Sequence, residues 1–194
     1  MSDNWDEYAE GWDNNDSTIL YASKAYASLL ANAEIAGVSV LDFGCGTGLL
    51  TQRIADHAAS VVALDPSKKM ISVLEKKHLK NVSTIDQVLS QHLMKTHKSL
   101  QNGFDVIVAS SALAFVPDYQ QTLIQLKSLL NKGGSFIQWD WLAEGEGEEN
   151  SFTQESIQLA LKNAGFSDYS TSIAFSMQDQ NGELQVVMGV GKNI

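Results

Sequence analysis

The sequence is poor in cysteine, proline and basic residues, and it contains no long apolar run. A single cysteine, Cys45, cannot close an intrachain disulfide, which excludes a disulfide-stapled scaffold and fits a reducing, cytoplasmic setting. Two prolines and 44% hydrophobic residues exclude a disordered or linker-like chain. No stretch approaches the roughly 18 apolar residues of a membrane span, so no membrane partner is expected. The first residues, Met1 to Glu7, are acidic and lack an apolar segment, so no signal peptide is expected. Thirteen Lys and Arg against 23 Asp and Glu leave a net charge of −10. Nucleic-acid binding needs a basic face to neutralise phosphates, so that partner class is disfavoured. Lysines do gather between Lys68 and Lys98, but Glu75, Asp86 and apolar residues interrupt them, as on a solvated helix face. The four histidines, His57, His78, His92 and His97, show no metal-ligand spacing. Surface positions are expected for them, and no metal is.

What is present is a chain of 194 residues, enough for one domain with a substantial core. The expected division is an N-terminal arm and helix over 1–37, covering a site, and a core over 38–190. The arm is polar yet carries Trp5, Tyr8 and Trp12, and three large aromatics imply packing on the body. Asp16 or Ser17 is expected to cap a helix that Gly37 ends. An almost wholly apolar run at Ser39–Phe43 and further strand-like segments at Val61–Leu64, Val82–Ile85, Phe104–Ala109 and Ser135–Trp141 alternate with helix-like segments. Asp118 and either Thr153 or Ser151 are expected as later helix caps. Residues 86–100 are weakly helical, and the acidic run Glu144–Glu149 is expected to be a solvated loop. Asp179-Gln180-Asn181-Gly182 signals a closing hairpin. The expected fold class is therefore α/β. It is a Rossmann-like open sheet, mostly parallel, with a C-terminal antiparallel hairpin and helices on both faces.

The organising stretch is Val40-Leu41-Asp42-Phe43-Gly44-Cys45-Gly46-Thr47-Gly48-Leu49-Leu50. A buried strand delivers the chain to a glycine turn, and a helix follows with its free amides directed at whatever lies there. A Walker loop needs a lysine and a Ser or Thr after its second glycine, and Leu49-Leu50 removes that anchor. A dinucleotide turn needs a further glycine where Leu49 stands. Asp65 suits a ribose under several readings. Asp42 disfavours a pyrophosphate beside the glycines and suits an ammonium-bearing ligand.

The spacing Asp42-x-Gly44-x-Gly46-x-Gly48 resembles the first motif of class I S-adenosylmethionine-dependent methyltransferases. Val61–Ile71 (VVALDPSKKMI), Phe104–Asp118 (FDVIVASSALAFVPD), Leu129–Gln138 (LLNKGGSFIQ) and Ala160–Phe166 (ALKNAGF) are similar to the family's later motifs, in order. Five motifs in register are far more specific than one glycine turn. The resemblance implies S-adenosyl-L-methionine as cofactor. It also implies backbone at Gly44, Cys45 and Gly46 against the ligand, with Asp42 orienting the loop or the amino group. Asp65 would accept the ribose hydroxyls, Met70 would lie against adenine, Asp86 would take the adenine amino group, and Ala109 would close over the methionine end. Met70 serves equally well as a core residue. The sequence has Thr84-Ile85-Asp86-Gln87 where family members usually show a glycine–acid pair. Phe115, Tyr8 and Trp12 are candidate covers.

The implied activity is methyl transfer to a small-molecule acceptor by in-line displacement, for which alignment and desolvation are the main tasks. Asp140, Tyr119, Asp118 and Tyr8 are candidates for a general base, and none is singled out. Alternation on the fifth strand places Trp139 and Trp141 on one face and Asp140 on the other. The alternatives are a catalytically silent cofactor-binding module and, more remotely, an NAD-type oxidoreductase. The acceptor atom and the oligomeric state are not legible.

Overall fold

Strand β1 (Ser39–Phe43) is an interior strand of the sheet, and its residues Val40 to Phe43 are all buried. In a computed structural model, residues 5–143, 145, 149–179 and 182–194 are described. The remaining strands are β2 (Ser60–Leu64), β3 (Val82–Ile85), β4 (Phe104–Ser110), β5 (Leu130–Trp141), β6 (Asp168–Asp179) and β7 (Gly182–Lys192). They form one seven-stranded sheet in the order β3-β2-β1-β4-β5-β7-β6. The pairs from β3 across to β5 are parallel, and β7 runs antiparallel to both β5 and β6. The expected fold class is the observed one.

Alternation along the strands feeds two cores. Leu41, Ile107 and Phe136 pack on one face with Leu93, Leu123, Leu126, Ile157 and Leu161. Those last residues come from α4 (Gln91–Thr96), α5 (Tyr119–Leu129) and α6 (Gln154–Asn163). Val40, Val106, Val108, Ile137 and Trp139 pack on the other face with Ala25, Leu29, Leu50 and Ile54. These belong to α1 (Asp16–Asn32) and α2 (Leu49–Ala55). Helix α3 (Lys68–Glu75) adds Ile71 and Leu74 against Ala63 and Cys45. Each such Leu or Ile contributes roughly 1.5–3 kcal/mol on full burial, so the sheet is held from both sides. On β7, a Cβ at Gly189 would lie 2.5 Å from Ile157, and one at Gly191 would lie 2.7 Å from Phe166. Those two glycines let α6 and the segment after it approach the sheet.

Several local expectations are corrected. Helix α1 is capped by Asn15, whose side chain accepts the Ser17 and Thr18 amides, rather than by Asp16 or Ser17. It ends at Asn32, so Gly37, at φ 71°, serves the turn before β1 and does not terminate the helix. The segment 86–100 forms only α4 and a 3-10 turn at Lys98–Leu100. Strand β5 begins at Leu130, with a register shift between its pairings to Phe104 and Val106. Asp118 and Thr153 cap α5 and α6 as expected. His97 is half-buried with no hydrogen-bond partner for Nδ1 among the described residues, whereas His57, His78 and His92 are exposed. Asn181 and residues 144 and 146–148 lie outside the described residues, so the Asn-Gly turn and most of the acidic loop are not placed. No described helix is long and apolar enough to cross a membrane.

Candidate functional site

The chain runs outward from β1 to β2 and β3, then returns to place β4 on the other side of β1. In open sheets of this kind, ligands lie beyond the carboxyl ends of the strands where the order reverses. Here that position is the crevice between β1 and β4.

The glycine turn fills one wall. Gly44, Gly46 and Gly48 have φ of 69°, 54° and 82°, a region that side chains rarely adopt. The Gly44 and Cys45 amides donate to the Leu64 carbonyl at 2.7 and 3.2 Å, pinning the turn to the end of β2. The Gly46 amide donates to Asp65 Oδ2 at 2.9 Å, and the Ser67 amide donates to Asp65 Oδ1 at 2.8 Å. A Cβ at Gly44 would strike Ala112, and one at Gly48 would strike Leu74, each at 2.3 Å. A Cβ at Gly46 would meet nothing closer than Met70 Sδ at 4.0 Å. Gly44 and Gly48 are therefore demanded by packing, whereas Gly46 borders open space.

Behind the turn, Asp42 is 1% exposed and accepts Thr51 Oγ1 at 2.6 Å. Burial raises its pKa to about 7, with the nearby Asp65 charge adding to the rise and the Thr51 hydrogen bond opposing it. Burial also raises the Asp65 pKa, against the pull of the Ser67 and Gly46 amides. Cys45 is buried, and its thiol is pushed well above the ordinary value by that burial. It is a small packing residue here and not an activated thiolate.

Seven of the eight candidate residues thus meet at one place: Asp42, Gly44, Cys45, Gly46, Asp65, Met70 and, from the end of β4, the fully buried Ala109. Met70 is 2% exposed on the first turn of α3, and its amide is held by Ser67 Oγ at 3.2 Å. Asp86 follows β3 and is exposed, at the neighbouring strand end rather than inside the crevice.

The N-terminal arm crosses this region through 3-10 turns at Trp5–Glu7 and Trp12–Asn14. Trp5 packs edge-on against Phe115 with ring centroids 4.9 Å apart, and against Trp12 at 6.1 Å. Ser67 Oγ donates to Asp6 Oδ1 at 2.6 Å, and the Lys69 amide donates to the same oxygen at 3.2 Å. Asp13 accepts Thr47 Oγ1 and pairs with Lys77 at 2.8 Å. Asp6, Asp13, Ser67 and Thr51 were not singled out in the sequence. Only Ser67 carried a local signal, as the helix cap three residues before Met70.

Beyond β4, Ser111 has φ 51° and leads into a 3-10 turn at Leu113–Phe115. Under it, Tyr119 Oη donates to Gln138 Oε1 at 2.7 Å, and Gln138 Nε2 donates to Asp140 Oδ2 at 2.9 Å. An open groove of about 510 Å³ lies elsewhere, between α1 and β6, lined by Lys24, Ser28, Phe175 and Met188. It includes no residue of the glycine turn and brings together no comparable polar set. Among the described residues no cluster of His, Cys, Asp and Glu could hold a metal.

A family model described as a methyltransferase domain matches residues 41–136, which span the glycine turn, β2, β4 and the start of β5. The chain belongs to the class I S-adenosylmethionine-dependent methyltransferase family. An uncharacterised methyltransferase of Schizosaccharomyces pombe is 26% identical over 155 residues, 68% of this chain and 54% of that protein. A ubiquinone biosynthesis O-methyltransferase of Coxiella burnetii is 34% identical over 101 residues, 52% of this chain and 42% of that protein. The chain thus spans about half the length of the curated relatives it matches. Among solved structures, a SAM-dependent methyltransferase from Aquifex aeolicus superposes with a TM-score of 0.68 at 18% identity, covering 95% of this chain and 97% of that one. Magnesium protoporphyrin IX methyltransferase from Synechocystis with bound SAM gives a TM-score of 0.66 at 20% identity, covering 91% and 80%. These likenesses establish the family's fold in this methyltransferase-like chain.

Proposed function

We propose that this family member is an active methyltransferase that uses S-adenosyl-L-methionine to methylate a small-molecule acceptor. The observation that carries the reading is the open space at Gly46 beside a carboxylate already fixed by the turn. A Cβ there would meet only Met70 Sδ at 4.0 Å, and Asp65 is held by the Gly46 and Ser67 amides. Each Asp65 oxygen takes one of those amides and keeps a lone pair for a vicinal diol such as a ribose. That fits the cofactor. Solved neighbours bearing SAM support it, as does the family of the matching model.

When bound, the cofactor supplies an activated methyl group on a sulfonium. The chain's own residues would bind and orient it. Gly44, Cys45 and Gly46 would offer bare backbone, and Asp65 would take the ribose. Asp42 would set the loop or meet the amino group, and Met70 would line the adenine. Asp86 would accept the adenine amino group from the rim, and Ala109 would close the methionine end. Trp5, Phe115 and the arm would exclude water, which strengthens every electrostatic contact inside. In this reading the whole chain is one domain, with 1–37 covering a core of 38–190. A free Cys45 suits the cytoplasm.

The test is calorimetric titration with S-adenosylhomocysteine followed by labelled methyl transfer into a metabolite extract. Binding with transfer is expected. Binding without transfer into any fraction would identify a silent binding module. Protection against heat by NADH, and not by S-adenosylhomocysteine, would overturn the cofactor assignment.

A further inference from the structure

The distribution of charge around the crevice is uneven in a way that bears on the acceptor. The sequence has no Lys, Arg or His from residue 1 to 23, from 99 to 126, or from 133 to 161. Those are the arm, the turn after β4 with most of α5, and the carboxyl half of β5 with its following loop and helix. The lysines nearest β5 lie at its opposite end. Lys192 pairs with Ser135 in the amino half of that strand, Lys132 is its third residue, and Lys127 and Lys162 are in the last turns of α5 and α6. Lys68 and Lys69 do stand at the carboxyl edge, but they are on the β2 side beside Asp6. Lys77 is taken by Asp13. On the β4–β5 side, residues 99–126 and 133–161 offer an anionic group no Lys, Arg or His, and Lys24, two strands further out, is engaged with the Ser176 carbonyl on β6 at 2.6 Å. Such a group would have to shed water against carboxylates, a cost that nothing in those segments offsets.

A second, independent feature lies on the same side. Asp140, near the carboxyl end of β5, is 1% exposed, and its Oδ1 has no hydrogen-bond partner among the described residues. Its Oδ2 takes Gln138 Nε2 at 2.9 Å, and the Ala114 amide adds a weaker pull on the carboxyl. Ala114 belongs to the 3-10 turn that follows β4, so the Asp140 carboxyl lies against the turn at the carboxyl ends of β4 and β5. Burial holds this carboxyl well above the ordinary carboxylate range, as it does for an acid with no counter-charge beside it. A buried polar atom without a partner is costly, and buried groups of this kind are normally satisfied. An incoming ammonium would supply both the missing hydrogen bond and the charge that lets the carboxyl ionise.

We propose that the acceptor is an organic amine, bound as its ammonium on the β4–β5 side with Asp140 Oδ1 as its partner, and that anionic acceptors are excluded. The Asp140 carboxylate takes the proton whose loss frees the nitrogen lone pair, and the N–CH3 bond then forms as the S–CH3 bond breaks, leaving a methylated ammonium and S-adenosylhomocysteine. This rests on the methyltransferase reading above. Tyr119 and Gln138 act as positioning residues, because their hydrogen-bonded chain fixes the carboxyl rotamer.

The experiment separates a metabolite extract at neutral pH into cation-exchange-retained, anion-exchange-retained and unretained pools. Each pool is incubated with the whole protein and methyl-labelled S-adenosylmethionine. Label is expected in products from the cationic pool. With the active fraction, Asp140→Asn should raise KM by about tenfold or more, the scale of one lost charge-assisted hydrogen bond. Its affinity for S-adenosylhomocysteine should be unchanged, which also reports a folded cofactor site. Label from the anionic or the unretained pool would overturn the amine assignment while leaving the methyltransferase standing. An unaltered KM in Asp140→Asn would overturn the role of Asp140. Binding of S-adenosylhomocysteine with no label from any pool would overturn the activity and the acceptor assignment together.

Discussion

The Asp65 carboxylate and the Gly46 amide are joined by a hydrogen bond of 2.9 Å that ties the end of β2 to the turn after β1. One side chain therefore shapes the glycine turn and faces the crevice that the turn borders. Asp65→Ala should lose two charge-assisted hydrogen bonds to the ligand, roughly 2–4 kcal/mol of cofactor affinity. It should also free the Gly46 amide. Calorimetry with S-adenosylhomocysteine measures the sum, and unchanged affinity would show that the ribose seat is elsewhere.

The three glycines of the turn should separate by phenotype. At Gly48 an added Cβ meets Leu74 at 2.3 Å, so Gly48→Ala should lower stability by more than the roughly 1 kcal/mol that positive φ costs alone. At Gly46 the same Cβ enters open space, so Gly46→Ala should cost stability by only about that backbone amount. Gly46→Val, bulkier and β-branched, should abolish ligand binding while the sheet stays folded. Urea unfolding and ligand titration on the same samples read the two effects apart. Binding retained in Gly46→Val would remove the turn from the site.

These contrasts mark how far the sequence could be read. The buried strands and the turn were legible because parallel strands covered on both faces are continuous apolar runs, and because positive φ selects glycine. Asp118 and Thr153 were legible as caps because a cap is local, three residues from the amide it receives. Asn15 was not, since Asn14, Asn15, Asp16 and Ser17 are all competent and only the path of the arm chooses among them. The bond from Ser67 to Asp6 spans 61 positions and leaves no periodic trace. Alternation separated Asp140 from its flanking tryptophans, yet nothing in the sequence tells that Gln138 would satisfy one of its oxygens and leave the other bare.

Asp42 makes stability depend on pH in the direction opposite to that of a salt-bridged carboxylate. Its pKa in the folded chain is about 7, against 3.8 as the reference value. Between those values the folded state holds a proton that the unfolded state has lost, so stability falls as pH rises from about 4 to 7 and then levels. The shift corresponds to something on the order of 4 kcal/mol at most for a fully buried group. Asp65 and Asp140 are raised too and act in the same sense. Asp42→Asn keeps an acceptor for Thr51 Oγ1 and removes the titration. Relative to that variant, the wild type should be progressively less stable at pH 6 and 7.5 than at 4.5, as measured by urea midpoints. A constant difference across that range would show that Asp42 is ionised throughout.

The arm should act on residence time rather than on the fold. Its contacts with the body include the Trp5–Phe115 ring pair at 4.9 Å, the Ser67 and Lys69 donors on Asp6, the Asp13 links to Thr47 and Lys77, and the Thr18 hydroxyl on the Trp12 carbonyl at 2.7 Å. Asp6 and Asp13 are partly exposed, and pairs of that kind contribute little to stability and are screened by salt. Removing residues 1–14 leaves Asn15 to cap α1 and leaves both cores intact. The truncated protein should therefore unfold within a few degrees of the full chain while releasing S-adenosylhomocysteine about tenfold faster or more, because changes at a binding surface appear mainly in the off-rate. Raising the salt should speed release from the full chain, by loosening the Asp13–Lys77 pair, and should do so much less in the truncated one. Stopped-flow displacement reads both rates, and identical off-rates would show that the arm packs beside the crevice without closing it.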